Sequence, residues 1–315
     1  MKIVSCFSKL SEIKPLIEAG ADELYCAIKP LDSFGRGVLP AGRLQAAADR
    51  IHALGGKLAV AANSMALLRD ERGLRRFSNA LLKADEAGVD AFIISNPSIF
   101  ELIKNLKRPL RAKTHLSSVQ PCFNSLAARV FIRRGISRLI LPNQLSPKES
   151  AGIFAECRRA GVETEIFDYR FFGCTYVNGR CNLHNPVYHS FAGDLRGAAP
   201  CNRGIAAGCG MKTLNILPER SAEIPAIWTR FSARLARGGS PRIGNAAAFF
   251  DFFSMGADYL KYGTRRDDSR VKIRKAAELR RMLDLARALT RELGRNAARN
   301  EFVRRMTSWN GLEER

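Results

Sequence analysis

The chain has 315 residues, of which 46% are hydrophobic and 26% are charged, so it can bury a large core and is too mixed in composition to be disordered. It has no apolar run of about eighteen residues, and its start, MKIVSCFSKLSE, lacks the apolar stretch and cleavage site of a signal peptide. We therefore expect no transmembrane segment and a cytoplasmic location, in which the eight cysteines stay reduced.

The charge balance is strongly basic. The sequence has 51 Lys and Arg residues against 30 Asp and Glu residues, a net charge of +21. Such a surplus favours a polyanionic partner, RNA or an anionic lipid surface, although basic solvated faces without a partner would give the same count.

Short β-rich runs recur along the whole chain, separated by amphipathic stretches with apolar residues three and four apart. The predicted strands, in chain order, are Lys2–Cys6, Glu23–Ile28, Lys57–Asn63, Ala91–Ser95, Leu110–Leu116, Arg138–Asn143, Glu163–Tyr169 and Tyr259–Gly263. Several of the helical stretches between them begin at Ser or Asn and end in Gly, as capped helices do.

Eight such units predict an α/β protein of the (β/α)₈ barrel type, with chemistry at the carboxyl ends of the strands. A doubly wound sheet is the alternative, but no Gly-rich dinucleotide-binding turn follows the first strand. About ninety residues separate strands seven and eight, and long insertions of this kind are usually functional. We assign residues 1–306 to the barrel, with an insertion at about 170–255, and residues 307–315 to a tail.

Four cysteines open this insertion: Cys174, Cys181, Cys201 and Cys209. Thiolates select zinc or iron–sulfur clusters, and four of them in one Gly-rich segment can meet at one site. Structural zinc prefers pairs separated by two to four residues, whereas six residues separate the first pair here. The spacing therefore favours a cluster over zinc, while Cys6, Cys122 and Cys157 are interpreted as ordinary core residues.

Several stretches resemble the U32 family, long classed as peptidases and known to include oxygen-independent, iron–sulfur-dependent hydroxylases. The resemblance is carried by IEAGADELYCAIKPLDSFGRG, KTHLSS, CFNSLAARVFIRRGISRLILPNQLSPKE, GCTYVNGRC and GADYLKYGTRRDDSRVKIRKAAE. It implies that Cys174, Cys181 and Cys201 are ligands of a [4Fe-4S] cluster. The fourth ligand is Cys209 or, failing that, Cys26.

The resemblance also implies the reaction. Relatives hydroxylate pyrimidines of ribosomal and transfer RNA or aromatic quinone precursors, in known cases with prephenate as the oxygen source. The charge favours RNA, whereas a short single barrel is more like the quinone-pathway members, which work as a heteromer of two related chains. A zinc-stabilised RNA-binding protein without catalysis and a peptidase are the alternatives, and the sequence has neither an H-E-x-x-H nor a G-x-S-x-G motif.

Other candidate residues follow from the predicted strand ends. His115 at the top of strand five, and Asp168 and Arg170 at the end of strand seven, are candidate catalytic residues. The candidate substrate-binding residues are Lys113, Asn124 and Arg265. The histidine and the Asp–Arg pair are equally compatible with structural roles.

The C-terminal segment from Arg270 to Met306 has apolar residues three and four apart and arginines on its other faces. The pattern predicts one long amphipathic helix that covers the barrel with its apolar side. Its arginines are either solvated or bind RNA or a membrane surface.

Overall fold

A computed structural model of the chain describes residues 1–31, 37–64, 70–120, 122–142, 145–168, 246–263, 265 and 267–307. Eight parallel strands close into a barrel in which each strand pairs with the next and β8 pairs with β1. The strands are β1 (Lys2–Cys6), β2 (Glu23–Cys26), β3 (Lys57–Ala61), β4 (Ala91–Ile94), β5 (Lys113–Leu116), β6 (Arg138–Ile140), β7 (Glu163–Phe167) and β8 (Tyr259–Lys261). The predicted (β/α)₈ barrel is confirmed.

Helices follow the strands and cover the barrel. They are α1 (Ile13–Glu18), α2 (Leu44–Ala53), α3 (Glu71–Glu86), α4 (Pro97–Lys104), α5 (Ser125–Ile132), α6 (Pro147–Arg159), α7 (Ala246–Ser254), α8 (Ser269–Leu293) and α9 (Arg295–Thr307). Short polar side chains start several of them: the Asp70 carboxylate accepts from Gly73 N at 2.6 Å, and Ser146 forms a capping box with Glu149. Among the described residues, no helix is both long and apolar enough to span a membrane.

The predicted single C-terminal helix is wrong, because the chain forms two helices there. Gly294 ends α8 with a φ of 71°, a left-handed conformation that glycine adopts without steric cost. The second helix, α9, then packs its Phe302 ring against Phe249 and Phe250 of α7. This helix α7 lies within the range predicted for the insertion and belongs to the outer layer of the barrel.

The strand register defines which side chains face the interior, because side chains alternate along a strand. The inward-facing residues are Lys2, Val4 and Cys6 on β1; Glu23 and Tyr25 on β2; Lys57, Ala59 and Ala61 on β3; Ala91 and Ile93 on β4; Lys113 and His115 on β5; Arg138 and Ile140 on β6; Glu163, Glu165 and Phe167 on β7; and Tyr259 and Lys261 on β8. Barrels of this type usually fill the interior with Val, Ile and Leu, so this interior is unusually polar.

An ion-pair network crosses the interior. Arg138 binds Glu23 on the opposite side of the barrel and Glu165 beside it, with N–O distances of 2.8 and 2.9 Å, and Lys261 binds Glu165 at 2.7 Å. Burial alone would raise the pKa of Glu165, but Lys261 and Arg138 together hold it below the ordinary value. The network therefore consists of opposite charges that compensate one another inside the barrel.

Candidate active site

Asp168 lies at the carboxyl end of β7, directly after Phe167, where the sequence predicted it. Its backbone N–H donates to the Lys261 carbonyl at 2.8 Å, and the residue is 6% exposed. The chain then continues into residues 169–245, so the predicted residues Arg170, Cys174, Cys181, Cys201 and Cys209 lie outside the described part of the structure. A catalytic role for Asp168 remains a prediction.

A group of small polar residues lies buried after the carboxyl ends of the strands. Asn63, after β3, donates from Nδ2 to the Ser117 hydroxyl after β5 at 3.2 Å, and its Oδ1 is buried with no hydrogen-bond partner among the described residues. The other members are Ser64, Ser95, Ser118 and Gln120. This group was not among the predicted site residues, although polar residues directly after an apolar strand are a signal from which it can be predicted.

Cys6 and Tyr25 lie opposite each other in the register at the upper end of the interior. The Tyr25 hydroxyl donates to the Gly263 carbonyl at 2.8 Å, and the Lys261 Nζ lies 4.2 Å from the centroid of the tyrosine ring. Burial raises the pKa of the Cys6 thiol to about 12. Cys6 is therefore a neutral core thiol, as the sequence indicated, and has no nucleophilic character.

Cys26, the reserve ligand, also has a buried thiol whose pKa is raised to about 12 by burial. It follows Tyr25, whose side chain points into the barrel, so alternation directs Cys26 towards the helices. A ligand of a cluster at the mouth would have to point towards the mouth, and this side chain does not. The structure thus gives no support to Cys26 as the fourth ligand.

Arg265 lies after β8 beside a pocket of about 490 Å³. The pocket is lined by Ser8, Lys9, Glu12, Gly37, Arg265, Asp267, Asp268 and Ser269. Its carboxylates are engaged: Glu12 binds Lys272 at 3.1 Å, Asp268 caps α8, and Asp267 accepts from the Tyr262 hydroxyl. The Arg265 Nη1 is buried and has no hydrogen-bond partner among the described residues. A cation at this end of the barrel suits an anionic group of a substrate.

Asn124 is exposed and caps α5, with its side-chain oxygen accepting from Ala127 N at 2.9 Å. The hydrogen bond gives Asn124 a structural role at the start of α5. Its predicted contact with substrate remains a prediction.

The predicted position of Lys113 at the top of β5 is wrong. The strand begins at Lys113 and not at Leu110, so Lys113 lies at the amino end of the barrel. His115, two residues further, lines a pocket at that end together with Lys113 and Arg138. Lys113 therefore lies at the end opposite Asp168, whereas His115, the third of the four residues of β5, lies deeper in the interior. A catalytic role for His115 remains a prediction.

The environment of His115 keeps its imidazole neutral. The residue is 2% exposed, and burial, followed by the charges of Arg138 and Lys261, holds the pKa of His115 well below its ordinary value. Its Nδ1 is buried without a hydrogen-bond partner among the described residues.

The described residues contain no group of three or more His, Cys, Asp or Glu side chains able to hold a metal ion. The described cysteines, Cys6, Cys26, Cys122 and Cys157, are all buried free thiols, and burial raises the pKa of each to about 12. The four cysteines predicted as cluster ligands lie outside the described residues, so the iron–sulfur site remains a prediction.

Two proteins of known sequence are similar to part of this chain. Two relatives are each 26% identical: an uncharacterized protease of Methanocaldococcus jannaschii over 212 residues, 64% of this chain and 48% of the relative, and the tRNA hydroxylation protein P of Helicobacter pylori over 195 residues, 58% of this chain and 42% of the relative. The match spans less than half the length of either relative.

Two solved structures are also similar to this chain. A U32 peptidase has a TM-score of 0.42 at 13% identity, covering 53% of this chain and 68% of its own. A prophage protein of the dihydrodipicolinic acid synthase family from Escherichia coli K12 has a TM-score of 0.40 at 12% identity, covering 90% of this chain and 98% of its own. The sequence pattern that defines peptidase family U32 matches residues 8–204, and the chain therefore belongs to that family.

Proposed function

We propose that the protein is an iron–sulfur-dependent, oxygen-independent hydroxylase that acts on a nucleobase of RNA in the cytoplasm. The observation that carries the proposal is the similarity to a tRNA hydroxylation protein over 58% of this chain. The net charge of +21 supports an RNA substrate, because polyanions favour basic partners.

Cys174, Cys181, Cys201 and Cys209 would hold the [4Fe-4S] cluster. When bound, such a cluster supplies electron transfer at a potential set by its ligands and surroundings. The chain's own contribution is the mouth of the barrel, where Asp168 and the buried Asn63 offer polar groups to a substrate. Prephenate, the oxygen source in known relatives, carries carboxylates that suit Arg265, whose Nη1 has no hydrogen-bond partner among the described residues.

The outer face of α8 supports RNA binding. Arg270, Arg274 and Arg281 are exposed and form no ion pair with a described residue. Their spacings of four and eleven residues keep them within about 40° of one another around the helix. By contrast, Arg280 and Arg287 of the same helix are paired with Asp22 and Asp284.

This arginine row of Arg270, Arg274 and Arg281 begins five residues after Arg265 in the sequence. It would position phosphates of the RNA backbone while an unpaired base reaches the mouth.

Metal content tests the cofactor. Protein purified without oxygen should be brown and contain iron and acid-labile sulfide. A colourless protein with zinc would instead support an RNA-binding protein without catalysis.

Nucleoside analysis tests the substrate. Digested RNA of a strain that lacks the gene should be missing one hydroxylated nucleoside, while its quinones stay unchanged. Lost quinone hydroxylation with unchanged RNA would contradict the RNA proposal and favour a quinone precursor.

A further inference from the structure

A second pocket enters the barrel from its amino end. It has a volume of about 330 Å³ and reaches the nearly buried residues His115 and Arg138. Ala91 lines it, and Ala59 is the register partner of Ala91 on β3. Small residues at these inward positions, where barrels usually carry Val, Ile or Leu, leave the space that the pocket occupies.

Some charged groups of this pocket form ion pairs or hydrogen bonds with described residues, and others do not. The carboxylates are engaged: Glu23 and Glu163 bind Arg138, Asp85 binds Arg108 and the Ala112 N–H, and Asp90 accepts from the Leu58 N–H at 2.7 Å. The groups without a partner among the described residues are two ammonium groups and an imidazole nitrogen, which donates when the ring carries its proton on Nδ1. Lys57 and Lys113 are exposed at the rim and form no ion pair with a described residue, and the His115 ring has a nitrogen without a partner.

We propose that this amino-end pocket binds a small oxyanion, a phosphate or a carboxylate, between Lys57, Lys113 and the ring of His115. The two ammonium groups supply the charge for the anion at the rim. The buried imidazole supplies a polar contact at the inner end, and a buried nitrogen that lacks a partner is costly unless something satisfies it.

The site is separate from the chemistry of the proposed function. Asp168 and Arg265 lie at the carboxyl ends of the strands, whereas this pocket opens at the amino ends, where catalytic residues of such barrels are not found. The loops that surround it, residues 19–22, 54–56, 87–90, 105–112, 133–137, 160–162 and 255–258, are all described. An anion bound here would stabilise the folded barrel by mass action and take no part in hydroxylation.

Nitrogen-15 NMR of labelled histidine tests the proposal on the full chain, which has four histidines. His115→Gln assigns the signal. Sodium phosphate and, separately, sodium succinate are added at constant ionic strength, so that the two arms distinguish a phosphate site from a carboxylate site. A saturable shift of the His115 signals with one or both anions is expected.

The test variant is Lys57→Ala with Lys113→Ala, and the control is Lys148→Ala, which removes an exposed lysine of α6 that is not part of the pocket lining. The double variant should weaken anion binding about tenfold or more, and the control should bind like the wild type. Circular dichroism confirms that each variant is folded. No saturable shift with either anion, or equal binding by the double variant, would overturn the proposal.

Discussion

Arg138 and Glu23 are joined across the interior of the barrel by two parallel hydrogen bonds, from Nη1 to Oε1 and from Nη2 to Oε2, each 2.8 Å long. The two residues are 115 positions apart in the sequence. Their strands, β6 and β2, lie on opposite sides of the barrel, so the pair ties the two halves of the fold together.

Replacing Arg138 should destabilise the protein strongly. Arg138→Met leaves the buried Glu23 carboxylate without its cationic partner and Glu165 with Lys261 alone, and breaking a buried pair in this way costs about 3–5 kcal/mol. Urea denaturation measures the change in the free energy of unfolding. The control is Arg75→Ala, which removes an exposed pair with Glu71 worth about 0–1 kcal/mol, and equal losses in both variants would contradict the account.

Asp85 should make stability depend on pH. Its carboxylate accepts from Arg108 at 2.6 Å and from the N–H groups of Ala112 and Arg111 at 2.8 and 2.9 Å. Burial acts to raise its pKa, but these donors outweigh it and hold the pKa of Asp85 below the ordinary value of 3.8.

Because the folded-state pKa is lowered, the contribution of Asp85 is complete above pH 3.8 and is lost as the pH falls through the folded-state pKa. Asp85→Asn should therefore be less stable than the wild type at pH 7, by about 1–3 kcal/mol. The difference should shrink in acid. Urea unfolding of both proteins across the pH range measures this difference in the free energy of unfolding. A difference that grows on acidification would contradict the lowered pKa of Asp85.

Much of the fold could be predicted from sequence because parallel strands buried on both faces appear as short apolar runs. All eight strands were found, but most predicted ends extend too far. Ile28, for example, forms only an isolated bridge with Leu39 beyond the end of β2, because the neighbouring strand no longer pairs there.

The position of the candidate site was harder to predict. The start of β5 was placed at Leu110, three residues too early, so Lys113 was assigned to the mouth although it begins the strand at the amino end. The polar interior could not be predicted from the sequence either, because Arg138 and Glu23 are far apart in the chain and come into contact only when the barrel closes. The strongest indication of function in the sequence was the group of four cysteines between residues 174 and 209, which predicts a cluster site.

The fourth ligand can be identified by paired substitutions. Cys209→Ala should lose iron, whereas Cys26→Ala should keep it, because Cys26 is a buried thiol on the strand side that faces the helices. Iron and sulfide analysis after anaerobic purification is the measurement. Retention of iron by Cys209→Ala together with its loss in Cys26→Ala would mean that β2 completes the site.

The arginine row of α8 should account for part of the salt dependence of RNA binding. Each phosphate contact contributes about 0.7–0.9 to the slope of log affinity against log salt concentration. Replacing Arg270, Arg274 and Arg281 with Ala should therefore reduce the slope by about 2.

Filter binding to unmodified tRNA at several salt concentrations measures this slope. Arg72→Ala with Arg76→Ala on α3 is a matched control, because both residues are exposed and unpaired with described residues. An unchanged slope in the α8 variant would show that RNA does not contact this face.

The central claim joins the cysteines to RNA hydroxylation, and complementation of a deletion strain tests it most directly. Mass spectrometry of nucleosides is carried out after expression of the wild type, Cys174→Ala or Cys122→Ala, where Cys122 is a buried thiol outside the proposed ligand set. The account predicts that the wild type and Cys122→Ala restore one hydroxylated nucleoside and that Cys174→Ala does not. Full restoration by Cys174→Ala, or RNA unchanged by the deletion, would contradict it.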